Sequence, residues 1–146
     1  MMRGAAQEAE LWQLLARVRG LRVRRRLRAL ADARRRERRA AAAVTEQVAV
    51  LERHAEERLH VLEFCRRDHR AGSQWHATLR AHDARLPDLQ RQLSDAEHAH
   101  AAARHVANQA LRDWGFERVR HDDAKHRWRV ALSRAAYAAD DGRDGG

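Results

Sequence analysis

At 146 residues the chain is the size of one domain, and it is 35% charged and 5% aromatic with a single proline, a profile of long helices or coiled coils that excludes a wide globular core. Cys65 is the sole cysteine, so no intrachain disulfide forms and a reduced cytoplasm is the expected compartment. No run nears the roughly eighteen apolar residues of a membrane span, no signal peptide is recognisable at the N-terminus, and the net charge of +9 directs attention to anionic partners.

Residues 1–6 and 140–146 are small, polar or charged and are expected to be disordered; 7–139 are expected to form one helical hairpin. Helix 1 is predicted over about 7–70. With position 27 as heptad a, the a sites are Gly20, Leu27, Arg34, Ala41, Val48, Ala55 and Leu62, and the d sites Val23, Leu30, Glu37, Val44, Leu51, Arg58 and Cys65. Ten of the fourteen are apolar, which sets one seam through six heptads. Upstream, Leu11, Leu14, Val18 and Leu21 keep a 3-4-3 spacing in a shifted frame and are expected to continue that seam across a discontinuity near Gly20.

The charge excess lies inside this helix. Residues 17–39 hold Arg17, Arg19, Arg22, Arg24, Arg25, Arg26, Arg28, Arg34, Arg35, Arg36, Arg38 and Arg39 against only Asp32 and Glu37, whereas residues 40–146 carry seventeen bases and seventeen acids. A GC-rich genome accounts for arginine over lysine, but not for the clustering. Like charges at helical spacing, with Asp32 beside Arg28 as the sole acid at i+4 to an arginine, destabilise an isolated helix, so the cluster is expected to meet a polyanionic partner. Nucleic acid is one candidate, since a basic helix leading into heptads is the layout of basic-zipper proteins. Against it, no aromatic side chain interleaves the arginines, the segment contains no Asn to read adenine, and the seam frame passes through the arginines at Arg34 instead of starting after them. An acidic protein surface is the other candidate.

A tip element is predicted over 71–86. It opens at Arg70-Ala71-Gly72-Ser73-Gln74-Trp75, where Gly72 is expected to end helix 1 in the left-handed conformation and Ser73 to cap the next helical segment. It closes at Leu86-Pro87. Trp75 is a candidate exposed anchor at this tip, with burial against His76, Leu79 and Leu86 as the competing expectation.

Helix 2 is predicted over about 87–138, with a frame of Leu86, Leu89, Leu93, Ala96, His100, Ala103, Ala107, Ala110, Trp114, Glu117, His121, Ala124, Trp128, Ala131 and Ala135. Gly115 interrupts it at a cost of about 1 kcal/mol relative to Ala and allows a bend. The fold class is therefore all-α, a long antiparallel two-helix coiled-coil hairpin with a short helical tip. Its rod is expected to be on the order of 90 Å long, with both termini at one basic end. Folding back about residue 78 pairs residues whose numbers add to about 156. Trp114 then faces Ala40 to Ala43, Trp128 faces Leu27 and Leu30, and Trp12 lies near or beyond the end of helix 2. The arginine segment meets residues 117–139, which carry a net charge of +3.

Chemistry-bearing sets are not apparent. His98 and His100 are two apart and His121 and His126 five apart, neither being the i, i+4 spacing that shares a metal on a helix. Cys65 falls on a d position as a small apolar residue. No glycine-rich phosphate loop is present. The expectation is a protein without catalysis, cofactor or metal.

The opening of helix 1, Leu14-Leu15-Ala16-Arg17-Val18-Arg19-Gly20-Leu21-Arg22-Val23-Arg24-Arg25-Arg26-Leu27, together with the hairpin layout and length, resembles the FliJ/YscO family. These are central-stalk proteins of flagellar and virulence type III secretion systems, and the Ala/Arg-rich version looks most like Hrp-type systems. The resemblance spans nearly the whole chain in architecture and rests on shape, length and charge, with no residue-by-residue motif. It implies a stalk that inserts the open end of its coiled coil into the ring of a hexameric secretion ATPase, touches the membrane-borne export gate and, in some members, binds export chaperones. The distinct element between Gly72 and Pro87 departs from the short turn of a simple hairpin. The arginine cluster is assigned to the ATPase contact on its charge alone.

Overall fold

The computed structural model describes residues 2–67, 70 and 72–144, with residues 2, 3 and 144 described in their backbone alone. The fold is an all-α helical hairpin made of α1 (Met2–Arg67), α2 (Gly72–Ala84) and α3 (Leu86–Asp144). Alanine, leucine, arginine and glutamate are strong helix formers, and α1 contains no proline over its 66 residues. Arg66 and Arg67 occupy its last turn, where positive charge complements the helix dipole.

Several boundaries differ from expectation. α1 is described to Arg67, and residues 68 and 69 of its predicted end at about 70 lie outside the described residues. Gly72 does not cap it, because Gly72 begins α2 and no described glycine has positive φ. Ala71, also assigned to the turn, lies outside the described residues. The described parts of the two predicted disordered ends, residues 2–6 and 140–144, are helical; neither contains proline, and extending a helix already formed costs less than starting one. α3 runs unbroken through Gly115.

The chain divides into two compact units, residues 34–105 and the combination of 1–33 with 106–146. Within residues 34–105, α2 lies antiparallel against α1 and forms the first part of the return arm. The facing pairs His54/His82, Arg58/Asp83 and Phe64/Trp75 have numbers adding to about 140. The predicted tip is thus a packed segment, joined through a single turn residue, Arg85, to α3, which carries Pro87 in its first turn. Proline is tolerated there because the first helical N–H groups lack intrahelical partners anyway.

In the unit holding both termini, the facing pairs are Trp12/Arg127, Arg19/Arg120 and Arg26/Asp113, again adding to about 140. The expected sum of 156 assumed a fold-back near residue 78, whereas the return arm already begins at Gly72. Trp114 therefore lies level with Arg25 and Arg26, not with Ala40 to Ala43. Trp128 lies level with Trp12 and not with Leu27 or Leu30, and Trp12 is inside the packed pair, half-buried with the Arg127 guanidinium 5.0 Å from its ring.

Every one of the fifteen predicted frame positions of α3 is buried or half-buried. For α1 the d row holds except at exposed Arg58, but of the a row only Gly20, Ala41 and Leu62 are covered. The second inward row lies one residue earlier, at Ala33, Ala40, Gln47, His54 and Val61. Towards the N-terminus the inward residues are Ala9, Trp12, Ala16, Arg19, Gly20 and Val23, while Leu11, Leu14, Val18 and Leu21, expected in the seam, are exposed. The helix is rotated because small residues permit the closest approach of two backbones. Ala16, Ala33, Ala107, Ala124 and Ala131 are all buried, and their packing outweighs exposure of the larger side chains. Gly20 contributes directly: a Cβ there would lie 3.1 Å from Nε2 of His121.

Candidate partner-binding surface

The arginine segment divides between the units. Arg17, Arg19, Arg22, Arg24, Arg25, Arg26 and Arg28 belong to the unit with the termini, and Arg34, Arg35, Arg36, Arg38 and Arg39 to the other. All twelve are exposed except Arg19, which is half-buried. Helical geometry explains this, since consecutive arginines such as Arg24, Arg25 and Arg26 radiate over most of the surface and only one face of α1 is covered.

Two of the seven are tied to α3. Arg26 Nη1 is 3.7 Å from a carboxylate oxygen of Asp113, with both side chains well exposed, a geometry that contributes little net stability. Arg19 Nη1 donates to the carbonyl of Arg120 at 3.2 Å. Arg22, Arg25 and Arg26 also surround Glu117 across an open groove. The register brings residues 106–123 opposite 17–33, so the expected facing segment 117–139 and its +3 charge are replaced. Residues 106–123 hold three arginines and four carboxylates, a net of −1, against seven arginines and Asp32, a net of +6. The hairpin offsets a small part of the basic charge and leaves most of it facing solvent.

Trp75 is not a free anchor. It is half-buried and stacked on Phe64 of α1, with centroids 4.8 Å apart and planes 10° from parallel. Neither the exposed reading nor burial against His76, Leu79 and Leu86 anticipated Phe64, because the ring reaches back to α1 and not along its own helix.

One constellation went unnoticed in the sequence. His54 is buried, and its ring lies 3.7 Å from that of His82, nearly parallel. His54 Nε2 donates to the His82 carbonyl at 2.8 Å, and His82 Nε2 donates to the His54 carbonyl at 2.7 Å. A carbonyl is only an acceptor, so both rings carry hydrogen on Nε2. The His82 carbonyl lies in the last turn of α2, where it accepts from the Arg85 N–H at 3.2 Å and, through its second lone pair, from His54. The nearby Arg58 side chain grips Asp83 through two bonds of 2.8 and 3.4 Å. Each holds the other in its charged form: the guanidinium keeps the Asp83 carboxyl below its ordinary range, chiefly by hydrogen bonding, and the carboxylate raises Arg58 for the same reason. This polar cluster is a clamp between α1 and α2.

Among the described residues no group of three or more His, Cys, Asp or Glu is arranged to hold a metal, and no helix is long and apolar enough to cross a membrane. Cys65 is half-buried in the seam. Comparison with known proteins finds no matching family model, no similar curated protein and no similar solved structure.

Proposed function

We propose that the chain is a non-enzymatic coupling stalk of a type III secretion export apparatus, working in the cytoplasm at the face of that apparatus. Its basic two-helix end would bind the ring of a hexameric secretion ATPase, and other surfaces would meet the export gate and export chaperones. The observation that carries this reading is the arginine group 17–28, exposed except at Arg19, on a two-helix unit where most of its charge is left uncompensated by α3. A helix pair with a charged end suits recognition by an acidic ring, where shape and charge act together. The resemblance of helix 1 and of the hairpin layout to FliJ/YscO stalks supplies the biological setting.

The test is a pull-down from native cytoplasm with wild type and with Arg24, Arg25, Arg26, Arg35 and Arg36 changed to Glu. Wild type should retain a hexameric ATPase and raise its turnover, and the variant should do neither. The same charges favour nucleic acid as a second reading. Binding to phosphates would weaken by several powers of ten between about 50 and 200 mM salt if six or more were contacted. Recovery of nucleic acid without an ATPase would replace the stalk assignment with that one.

A further inference from the structure

The turn of α1 that puts Ala9, Trp12 and Ala16 inward leaves Leu11, Leu14, Leu15, Val18 and Leu21 outward, each between 39% and 61% exposed. These five form a continuous stripe on the face opposite the seam. Isolated exposed leucines are ordinary, but a contiguous row on one helix face marks an interaction surface.

The spacing identifies the shape of the occupant. Leu11, Leu14, Val18 and Leu21 follow a 3-4-3 rule, the narrow a/d seam by which one helix receives another, whereas a helix lying in a membrane surface presents a wider apolar face. The flanking residues identify its charge. Arg17 and Arg24 border the stripe on one side and Arg22 on the other, all three exposed. Leu21, Arg17 and Arg24 also line a groove of about 290 Å³ together with Gly20 and His121. Residues 17–28 contain seven arginines and no acid. Flanking charges decide which helix is accepted in a coiled-coil seam. A second copy of this chain would bring the same seven arginines against its own.

We infer that the outer face of α1 from Leu11 to Arg24 is a docking seam for a helix of a partner protein that carries apolar residues at a and d positions and carboxylates at the flanking e and g positions. Docking would cover the leucine stripe and place the partner's carboxylates on Arg17, Arg22 and Arg24. The inference rests on exposure, spacing and charge, and holds independently of the secretion-ATPase reading.

The experiment uses the full chain and a synthetic three-heptad peptide with leucine and isoleucine at a and d and glutamate at e and g. Wild type should bind it saturably, with affinity falling as salt rises. Leu14→Asp and, separately, the triple change Arg17→Glu, Arg22→Glu, Arg24→Glu should weaken binding at least about tenfold while circular dichroism stays unchanged, since all four side chains are exposed. The triple variant should instead accept the same peptide with lysine at e and g. Absence of peptide binding, equal binding by all variants, or failure of the charge swap would overturn the proposal. So would a wild-type dimer in sedimentation equilibrium that Leu14→Asp dissolves, or binding to vesicles of phosphatidylcholine and phosphatidylglycerol without binding to the peptide. Absence of peptide binding by wild type with the ATPase pull-down intact would remove the docking seam alone, and the converse would remove the stalk reading alone.

Discussion

The two units close their helix pairs by different means. In the unit with the termini, closure relies on alanines, with Ala9, Ala16, Ala33, Ala107, Ala124 and Ala131 buried and Leu30 the one large buried side chain among the described residues of that unit. In residues 34–105, it relies on specific polar and aromatic contacts: the His54/His82 pair, the Arg58–Asp83 bridge and the Phe64/Trp75 stack. An alanine seam gains dispersion energy from close approach but buries little area per residue, so its larger neighbours stay outside. The polar clamp gains less from area and more from directed bonds that fix one register. The first arrangement leaves Leu11, Leu14 and Leu21 exposed; the second specifies alignment.

The sharpest way to break this comparison is at the alanine seam's one large buried residue. Leu30→Ala should cost about 2 to 4 kcal/mol in denaturant unfolding, whereas Leu27→Ala, at a side chain half exposed, should cost less than about 1 kcal/mol. Equal losses at the two sites would mean that α1 is not rotated as described, and that the a row read from the sequence faces α3 after all.

The clamp should respond next. His54→Ala removes a donor to the His82 carbonyl and the ring on which His82 stacks, while leaving His82 Nε2 bonded to the backbone at position 54. A loss of about 1 to 3 kcal/mol is expected for a buried hydrogen-bonded group. Hydrogen exchange should show it concentrated in residues 34–105. A uniform loss over both units would make the clamp a general packing contact and not a local register device.

How much of the fold was legible differs between the helices for a physical reason. In α3 the inward row combines Leu, Ala and Trp at unbroken 3-4 spacing, so hydropathy and geometry agree and the frame is correct at every position. In α1 the two compete. Leu27 and Val48 invite an a row that the structure leaves exposed, while the true row contains Ala33, Gln47 and His54, which a count of large apolar residues passes over. His54 becomes a core residue through the carbonyl and ring of His82 on α2, a partner that spacing along α1 does not reveal. The register also depended on where the chain reverses, and Gly72 and Pro87 offered two reversals at once. The arginine cluster was visible from charge alone, but the exposure of the neighbouring leucines was not, since their spacing suits an inner seam and an outer one equally.

The glycines sharpen the contrast at lower energy. Gly115 has open space around a would-be Cβ, so Gly115→Ala should stabilise by about 1 kcal/mol through helix propensity alone. Gly20→Ala gains the same propensity but sets a methyl 3.1 Å from the His121 ring, which must shift by a few tenths of an ångström. The expected result is no gain or a small loss, read as a thermal midpoint at or below wild type. A full gain at Gly20 would show that the helix pair is looser there than the buried alanines imply.

The smallest effect lies in the acid limb of the stability curve. Asp83 is held below its ordinary value of 3.8 by hydrogen bonding to Arg58. A carboxyl depressed in the folded state contributes stability that is fully present above its unfolded value and is lost as pH falls through the lower native value. The window is therefore below about pH 4, the ordinary carboxylate range, and neutral conditions do not sample it. Solvent exposure keeps the contribution modest, so the useful reading is a direct one. Carbon-detected titration of the Asp83 carboxyl should give a midpoint below the ordinary carboxylate range, and Arg58→Gln should return Asp83 to it. Because Arg58 is the one d position of α1 that escapes the seam by reaching to α2, an unshifted Asp83 in wild type would detach it from the clamp and leave the histidine pair to hold the register of residues 34–105.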